Sequence, residues 1–310
     1  MTRRAAAGVA RSFVVLLVAG ALCVVVTAVL LSACGGSSDG ASPEPTTASS
    51  SASSTPSPSP SESSPAPLTT LSLYFLRDGE LGVAARTIPL TVTPANAAMD
   101  ALLDGPNQTE VEAGLATDIP SGTRLRSLSI TDGVAKVDLT AAFATPAARD
   151  TAARRVAEVV YTLTRFATVD RVVIKVDGEP LNVIPSDSAD DGDGLAIDGA
   201  LDRGRPWSAF EPAIFVESPG VDAAVASPFV LRGTASVFEG SFAARLVDAS
   251  GRRIVAVTVQ ASRGAPGRGR FAHEIPFSTS AASGTLIVYS QSMEDGSRQN
   301  EVRVPISFVQ

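Results

Sequence analysis

The segment DGVAKVDLTAAF, residues 132–143, sets the architecture of the first folded region. Asp132-Gly133 is a turn signal, because a tight hairpin turn needs backbone angles that Asp and Gly adopt readily. Runs with regularly spaced apolar residues lie on both sides, over 124–130 and 134–139, and predict two strands. The segment therefore predicts a hairpin around which the neighbouring elements assemble.

A helix is predicted after the hairpin. Thr145-Pro146 marks its start, because proline suits a first helical turn, and apolar residues recur at spacings of three and four up to about Phe166. We expect one face to lie in the core and the charged residues to lie away from it. The core residues are Val156, Val159, Val160, Leu163 and Ala167, and the charged ones are Arg149, Arg154, Glu158 and Arg165.

Further elements are predicted on both sides of the hairpin and helix. They are a strand over 71–76, a helix from Pro94 to Gly105 with Thr93 as its N-cap, and a strand over 169–176. Asp-Gly turns follow both strands, at 78–79 and 177–178. With hairpins rather than regular crossovers, this order predicts an α+β domain over 68–185, in which helices cover a mixed or antiparallel sheet.

Six motifs in this domain carry a resemblance. They are LYFLRDGEL (73–81), ALLDGP (101–106), IPSGTRL (119–125), DGVAKVDLTAAF (132–143), VVYTLTRF (159–166) and VDRVVIKVDGEPL (169–181). In this order they resemble the GerMN domain of bacterial sporulation and germination proteins. The matching residues are turn and core positions, and the family supplies no catalytic set to carry over. The resemblance therefore implies a structural domain without an assigned catalytic site.

The region 213–310 is predicted to be all-β. Short apolar runs between turn signals lie over 214–217, 229–237, 242–247, 254–259, 271–277, 286–290 and 302–308. Seven such strands predict an immunoglobulin-like sandwich. Pro305 cannot donate to a ladder, so we expect the last strand to lie at an edge or to turn its N–H side outward. Motifs such as GTASVFEG (233–240) and GRFAHEIPF (269–277) resemble the immunoglobulin-like domain of bacterial spore-germination proteins.

The N-terminus is predicted to be an export signal. Three arginines precede an apolar run over 13–31, and LSAC (31–34) resembles the bacterial lipobox. The resemblance implies that residues 1–33 are removed and that Cys34 takes a diacylglycerol. An uncleaved membrane span is the alternative, because the run is long enough to cross a bilayer. Residues 34–67, rich in Ser, Thr and Pro, are predicted to be a disordered tether.

An acidic linker is predicted between the domains, over 186–212. Asp187, Asp191 and Asp198 fall at positions 1, 5 and 12 of a calcium loop, but position 3 is Ala189 and no helix pair flanks the segment. A solvated acidic loop and a calcium site therefore both remain open, and this is the one metal candidate. Trp207 is expected to fill the junction between the domains in preference to stacking on a sugar.

Composition bears on the partners. The net charge of −7 becomes about −10 once the three arginines of the signal are removed, so no nucleic-acid partner is expected. No G-x-S-x-G, H-E-x-x-H or P-loop motif is present, and the only histidine, His273, lies in a predicted strand. We predict no cofactor.

These observations favour a lipid-anchored, extracytoplasmic, non-enzymatic lipoprotein with binding or scaffolding domains. Its partners would be the cytoplasmic membrane, through the lipid on Cys34, and the cell wall or an envelope protein. The alternatives are a wall-glycan-binding protein and an envelope hydrolase that uses a carboxylate pair.

Overall fold

A computed structural model describes residues 67–204 and 206–309. The predicted signal, Cys34 and the predicted tether up to residue 66 lie outside the described residues. The helices and strands of the first domain are β1 (Leu68–Arg77), β2 (Glu80–Pro89), α1 (Pro94–Leu103), α2 (Gln108–Glu112), β3 (Leu125–Thr131), β4 (Val134–Leu139), α3 (Arg149–Leu163), β5 (Arg171–Val176), β6 (Glu179–Pro180), β7 (Val183–Ile184) and β8 (Leu195–Ala196).

The predicted hairpin is confirmed as the pair β3–β4. Asp132 and Gly133 have φ angles of 51° and 76°, and Leu128 lies opposite Val137. The sheet has the order β3-β4-β5-β6, with β4 and β5 parallel and the other neighbours antiparallel. The chain reaches β5 through α3, so one regular crossover is present where only hairpins were expected. The α+β prediction with a mixed sheet holds.

The strands and helices around this sheet follow the expected pattern in part, and strand β2 was not predicted. Ala98, Met99 and Leu102 of α1 are fully buried. Thr93 makes no side-chain capping bond; its backbone N–H instead donates to Thr91 Oγ1 at 3.2 Å. The short helix α2 was not predicted, although Asn107 and Glu110 form a capping box at its start.

Helix α3 begins at Arg149 and ends at Leu163, so the predicted bounds at Thr145-Pro146 and Phe166 are wrong. Before the helix, residues Ala141–Ala144 form a 3₁₀ turn. Arg155 explains the late start, because its Nη1 donates to the carbonyls of Phe143 and Thr145 at 2.8 and 2.9 Å. A side chain thus satisfies carbonyls that a longer helix would have paired with backbone N–H groups.

Glu158 was expected away from the core, and this is wrong, because its side chain is fully buried. The Thr117 hydroxyl donates to Oε2 at 2.6 Å, and the Asp118 backbone N–H donates to Oε1 at 2.9 Å. Burial raises the pKa of Glu158 to about 8, against the opposing effect of these two bonds. Helix α3 is therefore covered on both the apolar and the charged face.

The second domain is a β-sandwich of eight strands within residues 206–309. They are β9 (Ile214–Ser218), β10 (Ala223–Val225), β11 (Phe229–Ala235), β12 (Ser241–Asp248), β13 (Arg253–Gln260), β14 (Gly269–Ile275), β15 (Ser283–Gln291) and β16 (Arg298–Phe308). One sheet has the order β10-β16-β15-β12-β13 and the other β14-β11-β9. The seven predicted strands are confirmed, and the added strand, β10, has only three residues.

Strand β16 is not an edge strand, contrary to one expectation from Pro305. It lies between β15 and β10, and β10 pairs with it in parallel from Ile306 onward. Pro305 O accepts from Asp222 N at 2.9 Å on the β10 side. The N and O of a strand residue point to the same side, so the nitrogen of Pro305 also faces β10. The N–H that Pro305 lacks would lie just before the first residue pair of the β10–β16 ladder.

Part of the segment expected to be an acidic linker folds against the first domain. Leu195, Ile197 and Leu201 are buried, and Leu201 exchanges two backbone hydrogen bonds of 2.8 Å with Val172 of β5. Trp207 begins a 3₁₀ turn (Trp207–Phe210) and is buried, as expected of a residue that fills the junction. Within residues 67–204 and 206–309, no helix has the length and apolar character needed to cross a membrane.

Candidate binding groove at the domain junction

The two domains belong to one compact unit and are joined through their backbones. Val221, after β9, donates to Val83 O of β2 at 2.8 Å and accepts from Ala85 N at 2.8 Å. Gly220 makes this approach possible, since a Cβ there would lie 3.0 Å from the carbonyl carbon of Ala84. The free edge of β2 is thus paired by the second domain.

A partly buried arginine forms the centre of the junction. The Arg203 guanidinium lies 5.0 Å from the ring centroid of Tyr74 on β1 and 4.8 Å from that of Tyr161 on α3. Phe215 of β9 packs edge-on against both tyrosine rings, at 6.0 and 6.1 Å. A cation between two ring faces is stabilised by their negative electrostatic potential. We call Tyr74, Tyr161, Arg203, Phe215 and Glu217 the Arg203 cluster.

Hydrogen bonds from Arg203 reach both domains. In the first domain, Nε donates to Thr164 Oγ1 at 2.7 Å and Nη2 to Tyr161 O at 2.9 Å. In the second domain, Nη1 donates to Glu217 Oε1 at 2.6 Å, and the Tyr74 hydroxyl donates to the same oxygen at 2.7 Å. One side chain therefore fixes a helix, a strand and the neighbouring sandwich relative to each other.

The electrostatics of the cluster favour a charged arginine and neutral tyrosines. Burial raises the pKa of both Tyr74 and Tyr161, and Glu217 or Glu211 beside the hydroxyl raises it further. Burial alone would lower the pKa of Arg203, but the neighbouring Tyr74 and Glu217 outweigh it and the pKa is raised. The hydroxyls therefore act as donors and the guanidinium stays cationic.

A second carboxylate is held in the same manner. Glu211 Oε1 accepts from the Tyr161 hydroxyl at 2.6 Å, and Oε2 lies 3.0 Å from Arg268 Nε. Arg268 Nη2 also donates to the carbonyls of Glu211 and Pro212, at 3.2 and 3.0 Å. Glu211 and Glu217 are thus each engaged by one arginine and one tyrosine.

A groove of about 570 Å³ opens beside the Arg203 cluster, over the sheet β14-β11-β9. We call it the junction groove. Its volume is typical of a site for a drug-sized ligand. Its lining residues are Arg203, Glu211, Phe215, Glu217, Arg232, Gly233, Thr234, Arg270, Phe271 and Ala272.

Gly233 shapes the floor of the groove. The pairing of β11 with β9 shifts register between Arg232 and Gly233, which marks a β-bulge. A Cβ on Gly233 would lie 1.9 Å from the carbonyl oxygen of Phe215 and 2.8 Å from Cζ of Phe271. Only glycine lets β9 pass this close to β11.

The groove carries two arginines without a counter-charge. Arg232 and Arg270 are exposed on the neighbouring strands β11 and β14, and neither forms an ion pair with any residue that the structure describes. Because Arg203 and Arg268 balance the two glutamates, these arginines leave the groove positive in a chain of net charge −7. Guanidinium groups match the planar, bidentate geometry of carboxylate and phosphate oxygens. The groove is therefore suited to an anionic group.

The structure does not bring the calcium candidates together. Asp191 Oδ2 accepts from the backbone N–H of Arg149 at 2.9 Å, at the start of α3. Over residues 67–204 and 206–309, no group of three or more His, Cys, Asp and Glu side chains is placed to hold a metal. Asp187, Asp191 and Asp198 form no such group here, and the calcium site stays a prediction.

The Arg203 cluster was not predicted from the sequence. Tyr74 and Tyr161 both lie in the quoted motifs, but they were interpreted as core residues. Arg203 lies in no motif, and Glu217 ends an ordinary strand. Residues so far apart along the chain carry no spacing signal, so only their aromatic and charged character could have suggested that they meet.

Two family models match the chain. The first, Germane, is described as sporulation and spore germination and matches residues 72–182. The second, Gmad2, is described as the immunoglobulin-like domain of bacterial spore germination and matches residues 213–297. The matches fall on the α+β domain and on the β-sandwich, in that order.

Solved structures are also similar to the chain. The first GerMN domain of the sporulation protein GerM from Bacillus subtilis is 26% identical, and the match covers 44% of this chain and 98% of that one, with a TM-score of 0.35. The tandem GerMN domains of the same protein are 19% identical over 62% of this chain and 60% of that one, with a TM-score of 0.38. A search of curated proteins found no match. The identification of the two domains therefore rests on the family matches and not on these structures.

Proposed function

The chain carries a Germane domain followed by a Gmad2 immunoglobulin-like domain, and on this premise we propose that it is a membrane-anchored, extracytoplasmic binding protein without catalytic activity. The descriptions of both families name spore germination, and that of Germane also names sporulation. The membrane anchor is supported by the basic start, the apolar run and the lipobox-like LSAC that ends at Cys34.

The observation that carries this proposal is the junction itself. Arg203 donates to Tyr161 O and to Glu217, so its one side chain ties the two domains together. The paired backbones of Val221 and β2 add directional bonds between the same domains. Two domains fixed in this way present a single preformed surface. Binding to such a surface does not cost the entropy of ordering two independent domains, which favours a binding or scaffolding role.

The binding surface is the junction groove, and its ligand is an anionic polymer of the cell wall. Arg232 and Arg270 supply the exposed positive charge of the groove. A lipid on Cys34 would confine this groove to the region next to the membrane, where the polymer is concentrated. The sequence left a wall-binding protein as one alternative, and the positive charge of the groove now indicates that its ligand within the wall is anionic.

A sedimentation assay tests this binding. Whole chain is mixed with purified wall sacculi that either keep or have lost their phosphate-bearing polymers. We expect co-sedimentation only with the former, and about a tenfold loss in R232S/R270S, because hydrogen bonds to charged groups contribute strongly. The matched control, R253S/R263S, removes the same charge from exposed positions outside the groove and should bind normally. Equal loss in both variants would show that only net charge matters.

The anchor is tested separately. Mass spectrometry of the chain purified from its membrane should find Cys34 as the first residue, carrying a diacylglycerol. A chain that keeps residues 1–33 with an unmodified thiol at Cys34 would contradict the lipoprotein part of the proposal.

The hydrolase alternative has a specific candidate pair, because Glu211 and Glu217 both line the groove. Each carboxylate is engaged by an arginine and a tyrosine, as a structural group would be. We expect no soluble fragments when the chain is incubated with sacculi. Release of fragments that disappears in E211Q or E217Q would overturn the non-catalytic proposal.

A further inference from the structure

Apolar side chains are exposed where the described chain begins. Leu68, Leu90 and Val92 are 65%, 62% and 98% exposed. Leu68 opens β1 opposite Pro89, and the backbone N–H of Leu90 donates to Pro67 O at 2.8 Å. The exposed leucines therefore lie beside the point at which the chain arrives from its N-terminal segment.

A groove begins two residues after Leu90 along the chain. Val92 lines it together with Leu128, Ile130 and Phe166, in a volume of about 300 Å³. Ile130 is itself exposed, and β3, which carries Leu128 and Ile130, is the edge strand of its sheet. We call Leu68, Leu90, Val92, Leu128, Ile130 and Phe166 the Leu90 patch. Exposed large apolar residues that gather in this way mark a contact surface.

Charge does not direct a partner to this patch. The charged residues within two positions of a lining residue are Arg126, Arg165, Asp132 and Asp170, two of each sign. The partner is therefore recognised by apolar contact and not by its own charge. This distinguishes the patch from the junction groove, which carries uncompensated arginines.

We propose that the Leu90 patch rests in the interfacial layer of the bilayer that holds Cys34. The inference rests on the anchor of the proposed function. Leu68 of the patch follows Pro67 directly and Leu90 is hydrogen-bonded to it, and a chain anchored at Cys34 arrives at the domain at that residue. Exposed Leu and Val side chains enter the boundary between headgroups and acyl chains, where apolar area is removed from water. The membrane then orients the rigid domain pair as well as retaining it.

Photo-crosslinking tests the proposal. Lipid-modified whole chain is reconstituted in phosphatidylcholine vesicles that contain a phospholipid with a photoactivatable acyl chain, and cross-linked peptides are mapped. We expect lipid adducts on residues 90–96 and 128–130, and at least a fivefold reduction in L90S/V92S. The adducts should not change between low and high salt, because the patch carries no net flanking charge.

A matched control uses exposed apolar residues of the second domain. F238S/M293S replaces side chains that are 60% and 78% exposed, so it should fold normally and leave the adducts at 90–96 unchanged. Adducts that are spread equally over both regions, or that survive L90S/V92S, would each overturn the proposal. Equal thermal midpoints of the variants and the parent chain confirm that folding is preserved.

The mass of the Cys34 peptide in the same samples separates the two proposals. An unmodified Cys34 removes the anchor and this inference with it. An acylated Cys34 without adducts on the patch leaves the anchor intact and overturns only the inference drawn from the Leu90 patch.

Discussion

The two domains bury different kinds of side chain. Among the described residues, the first domain has Glu110, Arg155 and Glu158 in its interior, each satisfied by hydrogen bonds. The sandwich is packed by aliphatic and phenylalanine side chains, with Phe242 and Phe271 at 4.9 Å between ring centroids. Burying a charge requires partners in fixed positions, whereas burying a ring requires mainly space of the right shape. Both domains have a close-packed apolar core, and the first adds fully buried carboxylates and an arginine that depend on fixed polar partners.

The junction combines both kinds of interaction. Phe215 brings a packing contact from the sandwich, and Arg203 brings the charged network of the first domain. Glu217, on the strand that carries Phe215, accepts from that network. The substitutions below break or sharpen the contrast between the two modes.

The largest effect is expected from G233A, which attacks the packing of the sandwich. The new Cβ would meet the backbone oxygen of Phe215 at 1.9 Å, and a backbone atom cannot rotate away. We expect a loss of about 3 kcal/mol or more in the free energy of unfolding, measured with urea. The control is G267A, whose new Cβ would lie no closer than 3.3 Å to any neighbour, namely Cδ of Arg263 and the carbonyl oxygen of Gly264. A small effect of G233A would mean that β9 and β11 can separate at low cost.

R203A is expected to cost somewhat less, about 2–3 kcal/mol. The substitution removes an arginine between two aromatic rings and leaves Glu217 without its charged partner. Calorimetry should show the single unfolding transition separating into two. R203K keeps the charge but loses the planar stack, so an intermediate result is expected. A single, unshifted transition in R203A would show that the paired backbones of Val221 and β2 suffice to hold the domains together.

Per pH unit, the smallest effect is a pH dependence of stability confined to the first domain. The pKa of Glu158 is about 8 in the folded chain, against an ordinary value of 4.5, so the folded state holds this proton more tightly. Its contribution to stability is complete below the ordinary pKa and is lost as pH rises between 4.5 and about 8. The free energy of unfolding should fall there by up to about 1.4 kcal/mol per pH unit. In E158Q the slope should flatten, as followed by urea unfolding at several pH values. Parallel curves for E158Q and the parent chain would contradict the assignment.

Local signals predicted the turns well. The Asp-Gly pairs at 78–79, 132–133 and 177–178 all adopt positive φ at both residues, as this residue pair indicates. Strands β11 and β12 of the sandwich were predicted because one face of each is more buried than the other, which keeps the alternation visible. Strand β12 shows this pattern along its whole length.

The remaining elements were missed where two surfaces cover one element. Strand β2 is buried at five successive positions, and it pairs with β1 on one side and Val221 on the other, so it shows no alternation. Helix α3 is buried on its charged face as well, which hid the role of Glu158. The Arg203 cluster depends on tertiary contacts alone, between residues that are distant in sequence. Burial from several sides removes the periodicity on which such predictions rest.

The pairing of Val221 with β2 has a consequence for how the chain can be divided. An unpaired strand edge is a template for the backbone of another molecule. The second domain covers such an edge, that of β2 in the first domain, and so prevents other copies of the chain from pairing with it. A fragment cut between the domains would expose that edge, and copies of the fragment would be prone to join through it.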